Sequence, residues 1–153
     1  QDTILFGRLI GKRAEAGDIY CLDGDLGAGK TTLTRSIAEG LSIEKNCTVS
    51  SPTFAIMHEY SARLPLFHMD FYRLGGADEV LDLGFDEYWE GTGVTVIEWA
   101  SRASQILPEK RIEIFLTVVS PDIRHVQIKA TSRLLKRMEN LVRKFEQEKK
   151  MLS

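Results

Sequence analysis

Cysteine and long apolar runs are both scarce in this sequence. Two of its 153 residues are cysteine, too few for a disulfide framework or a cysteine-rich zinc site, so cytoplasmic residence is the simplest interpretation. No apolar run approaches the roughly 18–20 residues that span a bilayer, and no signal-peptide pattern follows Gln1. We therefore expect no membrane association and no disulfide-stabilised secreted fold.

A large excess of charge of either sign is also absent. Twenty basic and 22 acidic residues give a formal net charge of −2, which argues against a broad nucleic-acid-binding surface. The charge is uneven, because residues 133–153 hold seven basic and three acidic side chains and the rest of the chain carries −6. This basic, amphipathic segment predicts a helix whose charged face is either solvated or a docking surface for an acidic partner or RNA phosphates.

Apolar segments alternate between strand and helix patterns, which is typical of an α/β layer fold. Ile19–Leu22 is a continuous apolar run of the kind that forms a strand buried on both faces. Further strands are predicted at Phe54–Tyr60, Leu66–Tyr72, Val94–Trp99, Ile112–Val118 and His125–Lys129, and helices at Thr3–Ala16, Ser101–Leu107 and 133–153. Short helical turns broken at Gly84 are predicted between Ala77 and Trp89. We expect one domain, 1–153, with a largely parallel central sheet, flanking helices and antiparallel strands near the C-terminus.

Residues 24–31, GDLGAGKT, match the phosphate-loop pattern G-x-x-x-x-G-K-[ST] at every fixed position. Glycines allow successive backbone N–H groups to point at phosphate oxygens, and the dipole of the helix that follows favours anions. In this pattern Lys30 reaches the β- and γ-phosphates, and the Thr31 hydroxyl is a ligand of Mg²⁺. The predicted strand before the loop and helix after it indicate a P-loop NTPase fold.

Two acidic residues each end an apolar strand, where P-loop proteins place the carboxylates that bind Mg²⁺ or orient the attacking water. Asp70 follows residues 66–69, and Glu98 follows residues 94–97. Their positions in the strands leave open which of the two binds the metal. His68 lies on the same strand face as Asp70, and we predict a structural hydrogen bond for it rather than a catalytic role.

Between the phosphate loop and these strands lies the segment Ser51, Pro52, Thr53 and Phe54, where proline indicates a loop or the start of a strand. Thr53 either senses a γ-phosphate or is an incidental turn hydroxyl.

GTPase motifs are missing: no N-K-x-D occurs, and no aspartate is followed by glycine three positions later. No compact arginine cluster of the kind found in kinase lids follows the third strand. The sequence therefore favours a minimal ATPase whose turnover depends on a partner. A small-metabolite P-loop kinase and a nucleotide-gated binding module are the alternatives.

Four motifs in order resemble the TsaE family, also called YjeE, over about residues 17–116. They are GDLGAGKTT at 24–32, SPTF at 51–54, HMDFYRL at 68–74 and EW at 98–99. The resemblance implies a bacterial P-loop ATPase required for threonylcarbamoyl modification of adenosine in tRNAs that read ANN codons. It also implies that the partner TsaD, bound with TsaB, performs the transfer, and that the ATP cycle resets this complex while tRNA is contacted indirectly or weakly.

The same resemblance implies roles by position. ATP phosphates are held by Asp25, Leu26, Gly27, Ala28, Gly29, Lys30, Thr31 and Thr32, with Lys30 also acting in catalysis. Thr31 and Glu98 are the implied Mg²⁺ ligands, and Asp70 orients the water or acts as the base. Ser51, Pro52, Thr53 and Phe54 form the nucleotide-responsive loop, Trp99 lies at the edge of the site, and the segment near Thr3 flanks the adenine together with the chain after the last strand.

Overall fold

A computed structural model describes residues 1–152 of the chain. The strands are β1 (Ile19–Gly24), β2 (Met57–Tyr60), β3 (Leu66–Asp70), β4 (Val94–Glu98), β5 (Ile112–Ser120) and β6 (Ile123–Ala130). The helices are α1 (Asp2–Arg13), α2 (Lys30–Gly40), α3 (Ala77–Asp82) and α4 (Ser132–Leu152), and 3-10 helices cover Phe85–Tyr88 and Ala100–Ile106.

All six strands form one sheet in the order β2-β3-β4-β1-β5-β6. The four central strands are parallel, because β4 pairs in parallel with both β1 and β3, and β5 pairs in parallel with β1. The edge strands β2 and β6 are antiparallel to their neighbours. The predicted α/β fold with antiparallel C-terminal strands is confirmed, and the antiparallel β2 at the opposite edge is an addition that the sequence pattern did not predict.

An apolar core lies on each face of the sheet. One core packs α1, α2 and α4 against alternate residues of the central strands, such as Leu22 and Val96. The other core packs α3 and the two 3-10 helices against the strand residues that point to the opposite face of the sheet, such as Cys21 and Ile97. This alternation explains why β1 and β4 carry apolar side chains on both faces, because both faces are covered.

Helix α4 is attached to the first core by its apolar stripe and by salt bridges of Arg137 and Lys149. The Phe145 ring packs edge-on against Phe6, with ring centroids 5.6 Å apart. Arg137 forms a salt bridge of 2.6 Å with the buried Asp18 at the start of β1, and Lys149 pairs with Asp2 of α1. No helix within residues 1–152 combines the length and the apolar character needed to cross a bilayer.

Two element boundaries differ by three residues from those expected from the sequence, and the other boundaries differ by at most two. Helix α1 ends at Arg13 rather than Ala16, because Ala14 is extended and the Asp18 carboxylate accepts the Glu15 N–H in a turn. Strand β2 begins at Met57 rather than Phe54, because residues 52–56 form a turn that closes with a hydrogen bond from the Ile56 N–H to the Pro52 carbonyl.

The segment after β4 is a 3-10 helix rather than the α-helix expected at Ser101–Leu107. Its backbone is interrupted at Ala103, where φ is −136°. The side chain of Asp23, in β1, accepts hydrogen bonds from both the N–H and the hydroxyl of Ser101. These contacts hold the chain against the end of β1 as it leaves Trp99.

Candidate functional site

The phosphate loop connects β1 to α2, as its sequence pattern predicts. Gly27 and Gly29 have φ values of +77° and +108°, in the left-handed region where a side chain would be strained. Because β1, β3 and β4 are parallel neighbours, their carboxyl ends meet at the loop, and Asp70 and Glu98 are direct register partners. The topology thus brings the loop and both predicted carboxylates to one edge of the sheet.

Lys30 is buried at the first turn of α2, with only 5% of its surface exposed. Its Nζ donates hydrogen bonds to the carbonyl oxygens of Gly24, at 2.5 Å, and Asp25, at 2.9 Å. The ammonium also lies 4.1 Å from the centre of the Trp99 ring. Burial lowers the pKa of Lys30 from its usual value of 10.5, and the nearby carboxylate of Glu98 opposes this shift. Phosphate oxygens could replace the two carbonyl acceptors without moving the lysine out of the loop.

Thr31 and Glu98 are in direct contact beside Lys30. The Thr31 hydroxyl donates to Glu98 Oε2 at 3.1 Å, and Glu98 is almost completely buried. A hydroxyl and a carboxylate oxygen are hard ligands of the kind that Mg²⁺ prefers. Within residues 1–152 no cluster of three or more histidine, cysteine or acidic residues could hold a metal by itself. The pair therefore fits an ion that takes its other ligands from phosphate and water, as Mg²⁺ commonly does.

The other oxygen of Glu98 is held from the interior of the protein. His68 Nε2 lies 2.8 Å from Glu98 Oε1, and the Thr34 hydroxyl lies 3.3 Å from the same oxygen. The predicted structural hydrogen bond of His68 is thus present, and its partner is a candidate metal ligand. Sequence reasoning missed Thr34, although its position three residues after Thr31 places both hydroxyls on one face of α2.

Asp70 is buried and is hydrogen-bonded to the loop of residues 51–54. Its Oδ2 accepts hydrogen bonds from the Ser51 hydroxyl, at 2.9 Å, and the Thr53 hydroxyl, at 3.2 Å. Its Oδ1 accepts the backbone N–H of Tyr72 at 2.9 Å. Asp70 therefore joins the end of β3 to this loop, and each of its oxygens has a donor.

The remaining predicted residues lie at the rim of the same edge. Trp99 follows β4 in a left-handed conformation, with φ of +58°, and its ring contacts Tyr72 as well as Lys30. The Phe54 ring is 82% exposed, and the guanidinium of Arg73 lies 3.9 Å from its centre. In the phosphate loop Ala28 and Lys30 are buried and Gly29 and Thr31 are half-buried, whereas the exposed members are Asp25, Leu26, Gly27 and Thr32.

A cavity of about 800 Å³ lies on the side of the first core, between α1, β6 and α4. Thr3 lines it, together with Phe6 of α1, His125 and Val126 of β6 and Phe145 of α4. Thr3 of α1 and residues of β6 and α4 therefore line the same cavity.

Arg124 connects this cavity to the loop, and sequence reasoning missed it. It lines the cavity, and its Nε donates to the carbonyl of Ala28 at 3.0 Å. Its Nη1 donates to the carbonyls of Ser120 and Pro121. The contact joins residues 96 positions apart, and no local pattern indicates it.

Comparisons with known proteins point to one family. A sequence model of the family described as threonylcarbamoyl adenosine biosynthesis protein TsaE matches residues 1–126. The chain is 44% identical over 131 residues to the tRNA threonylcarbamoyladenosine biosynthesis protein TsaE of Bacillus subtilis, covering 85% of this chain and 80% of that protein. It is 41% identical over 128 residues to the protein of the same description from Treponema pallidum, covering 84% and 93%.

A solved structure agrees with these relatives. The crystal structure of YdiB from Bacillus subtilis superposes with a TM-score of 0.76 and 37% sequence identity, covering 96% of this chain and 88% of that one. The family match ends at residue 126, within β6, so α4 lies outside it.

Proposed function

We propose an ATP-driven cycle for this chain, which belongs to the TsaE family of tRNA threonylcarbamoyladenosine biosynthesis proteins. In this proposal the protein binds ATP with Mg²⁺ and hydrolyses it slowly alone and faster on the TsaD–TsaB complex. The carbamoyl transfer belongs to TsaD, and tRNA is contacted only indirectly or weakly. Each turnover resets the partner complex for another round.

The observation that supports ATP and Mg²⁺ most directly is the contact between Thr31 and Glu98 beside the phosphate loop. The hydroxyl and carboxylate oxygens lie 3.1 Å apart, next to the buried ammonium of Lys30. Thr31 and Glu98 would hold Mg²⁺, which neutralises charge on the β- and γ-phosphates when bound. Lys30 would exchange the carbonyls of Gly24 and Asp25 for phosphate oxygens.

Asp70 is the proposed base, or the residue that orients the attacking water. Its Oδ2 is occupied by the hydroxyls of Ser51 and Thr53. When Thr53 turns toward the γ-phosphate, Asp70 loses one of these donors, and Oδ2 can accept a proton from water. The 51–54 loop thereby couples nucleotide state to the shape of the surface around the exposed Phe54 ring.

The cavity beside Thr3 is the proposed site of the adenine. It has apolar walls from Phe6 and Val126 and polar groups from Thr3 and His125, a combination that suits a purine base. Arg124 adjoins both the cavity and the loop, but Nε and Nη1 are used on carbonyl oxygens, so we assign it to holding the loop. A charge supplied by the partner typically accelerates P-loop hydrolysis by about 10³–10⁵, which is why we propose slow turnover alone.

A phosphate-release assay on the intact chain, with and without TsaD–TsaB, tests this function. We expect slow release alone, stimulation by the complex, and loss of both rates in Lys30→Ala and Glu98→Gln. Binding of Mg–ATP without any stimulated release would instead indicate a nucleotide-gated binding module. Transfer of the γ-phosphate to a metabolite would indicate a kinase, and no heat from Mg–ATP in calorimetry would reject the nucleotide site altogether.

A further inference from the structure

His68 occupies an unusual position for an ionisable side chain. It lies in β3, inside the sheet, and its side chain has no exposed surface. It faces the first core, as do its neighbours Leu66 in β3 and Val96 in β4. An aliphatic residue could fill this space without burying any polar atom. Because burying an imidazole costs free energy unless it is hydrogen-bonded, the ring needs a hydrogen-bond partner.

The polar partner of His68 is Glu98 Oε1, at 2.8 Å from Nε2. The second neighbour of this oxygen, the Thr34 hydroxyl, has one proton, and it lies closer to the Lys30 carbonyl, at 2.9 Å, than to Glu98, at 3.3 Å. Within residues 1–152, Glu98 Oε1 is the single hydrogen-bond partner of His68 Nε2. His68 is therefore the donor that determines where Oε1 lies.

The second ring nitrogen supports this assignment. His68 Nδ1 has no hydrogen-bond partner within residues 1–152. The tautomer with its proton on Nε2 satisfies Glu98 and leaves only an acceptor without a partner, whereas a proton on Nδ1 would leave a buried donor unsatisfied. In this tautomer the one N–H of the ring donates to Glu98.

We propose that His68 is a positioning residue that holds Glu98 in the orientation required for Mg²⁺. With Oε1 bonded to His68, the carboxylate presents Oε2 to Thr31 and to the phosphate loop. The proposal rests on the proposed function of Glu98 as a Mg²⁺ ligand. Residues that orient a metal ligand typically change metal affinity by about 10–100-fold when they are replaced.

Calorimetric titration of ADP into the intact chain, at increasing Mg²⁺ and separately in EDTA, tests the proposal. His68→Leu and His68→Asn both remove the donor at the position of Nε2, the first with an apolar filling and the second with a shorter polar one. His68→Gln retains an amide donor near that position. His58→Asn is the matched control, because His58 is the register partner of His68 in β2 but its ring bonds Tyr60 rather than Glu98.

We expect the Mg²⁺ concentration for half-maximal ADP binding to rise about 10-fold or more in the Leu and Asn variants. His68→Gln should restore most of this loss, His58→Asn should match the wild type, and ADP affinity in EDTA should be unchanged in all four variants. If His68 were purely structural, its replacement would lower the melting temperature, measured by circular dichroism, without changing the Mg²⁺ concentration for half-maximal ADP binding.

Three outcomes overturn the role of His68. They are an unshifted Mg²⁺ midpoint in a folded Leu or Asn variant, an equal shift in His58→Asn, and failure of both donor-free variants to fold, which would make His68 a folding residue. If wild-type ADP binding does not respond to Mg²⁺ at all, the proposed function of Glu98 fails instead.

Discussion

The phosphate site and helix α4 contain similar kinds of side chain, but the protein uses their charges in opposite ways. At the site, Lys30, Asp70 and Glu98 are all buried, and each is hydrogen-bonded to other parts of the chain. Along α4 most cations are exposed, and a net charge of +4 lies over residues 133–153. Buried charges need specific partners, whereas exposed ones are hydrated, so only the first arrangement constrains geometry.

Within α4, Arg137 resembles the charged residues of the site, because it is bonded to a buried partner. It forms two short hydrogen bonds with the buried Asp18, whose carboxylate also accepts the Tyr20 hydroxyl. Asp18 raises the pKa of Arg137 further above its usual value, so the charge of the guanidinium is secure. A docking surface inferred from charge alone would wrongly include this residue, which is part of the attachment of α4.

The largest expected effect is on hydrolysis, and it comes from a change at the phosphate site rather than in α4. Asp70→Asn preserves size but removes the proposed base, so we expect partner-stimulated hydrolysis to fall by about 10²–10⁴-fold while ATP affinity changes little. Single-turnover phosphate release and calorimetry measure the two quantities. Asp86→Asn, an exposed carboxylate elsewhere, is the control, and an unchanged rate in Asp70→Asn would withdraw the catalytic assignment.

Removal of the loop cation should have the largest effect on ATP binding. Lys30→Ala eliminates the ammonium that would bind phosphate oxygens, and we expect ATP affinity to fall by about 10–100-fold, as is typical for charged hydrogen bonds. Calorimetry at constant Mg²⁺ measures the loss. Lys136→Ala removes an exposed lysine of α4 and should leave ATP affinity unchanged. Equal losses of affinity in the two variants would contradict a specific role of Lys30 in binding phosphate.

Arg137→Ala tests the attachment of α4. It leaves Asp18 buried without its cation, and we expect the free energy of unfolding to decrease by about 3 kcal/mol. Urea unfolding followed by circular dichroism provides the measurement, with Lys136→Ala as a neighbour expected to stay within about 0.5 kcal/mol. Similar values for the two variants would show that Asp18 contributes little to holding the helix.

The smallest effect is expected from the exposed cations. Lys136→Gln combined with Arg143→Gln should leave stability within about 0.5 kcal/mol and should not alter affinity for TsaD–TsaB or tRNA, because both side chains are exposed and a solvated face suffices to explain them. Affinity measured at two salt concentrations checks this. A salt-sensitive loss of binding would assign α4 to a docking surface.

Much of the fold and site was predictable because its signals are local. The GDLGAGKT loop, the buried run of β1 and the strand-terminal positions of Asp70 and Glu98 each follow from a few consecutive residues. The largest boundary errors have causes that involve distant residues. The end of α1 depends on Asp18, which accepts the Glu15 N–H and is itself bonded to Arg137 of α4, and β2 is shortened by the turn that brings Ser51 and Thr53 to Asp70.

Residue order alone was enough to indicate an α/β protein with a phosphate loop, because backbone periodicity and glycine placement act over short stretches. Only the folded arrangement reveals that His68 and Thr34 contact Glu98, that Arg124 reaches Ala28, and that Arg137 is anchored while Lys136 is exposed. These contacts join residues from 30 to 119 positions apart. Their partners are chosen by the pairing of strands and the burial of charge, neither of which leaves a pattern in neighbouring residues.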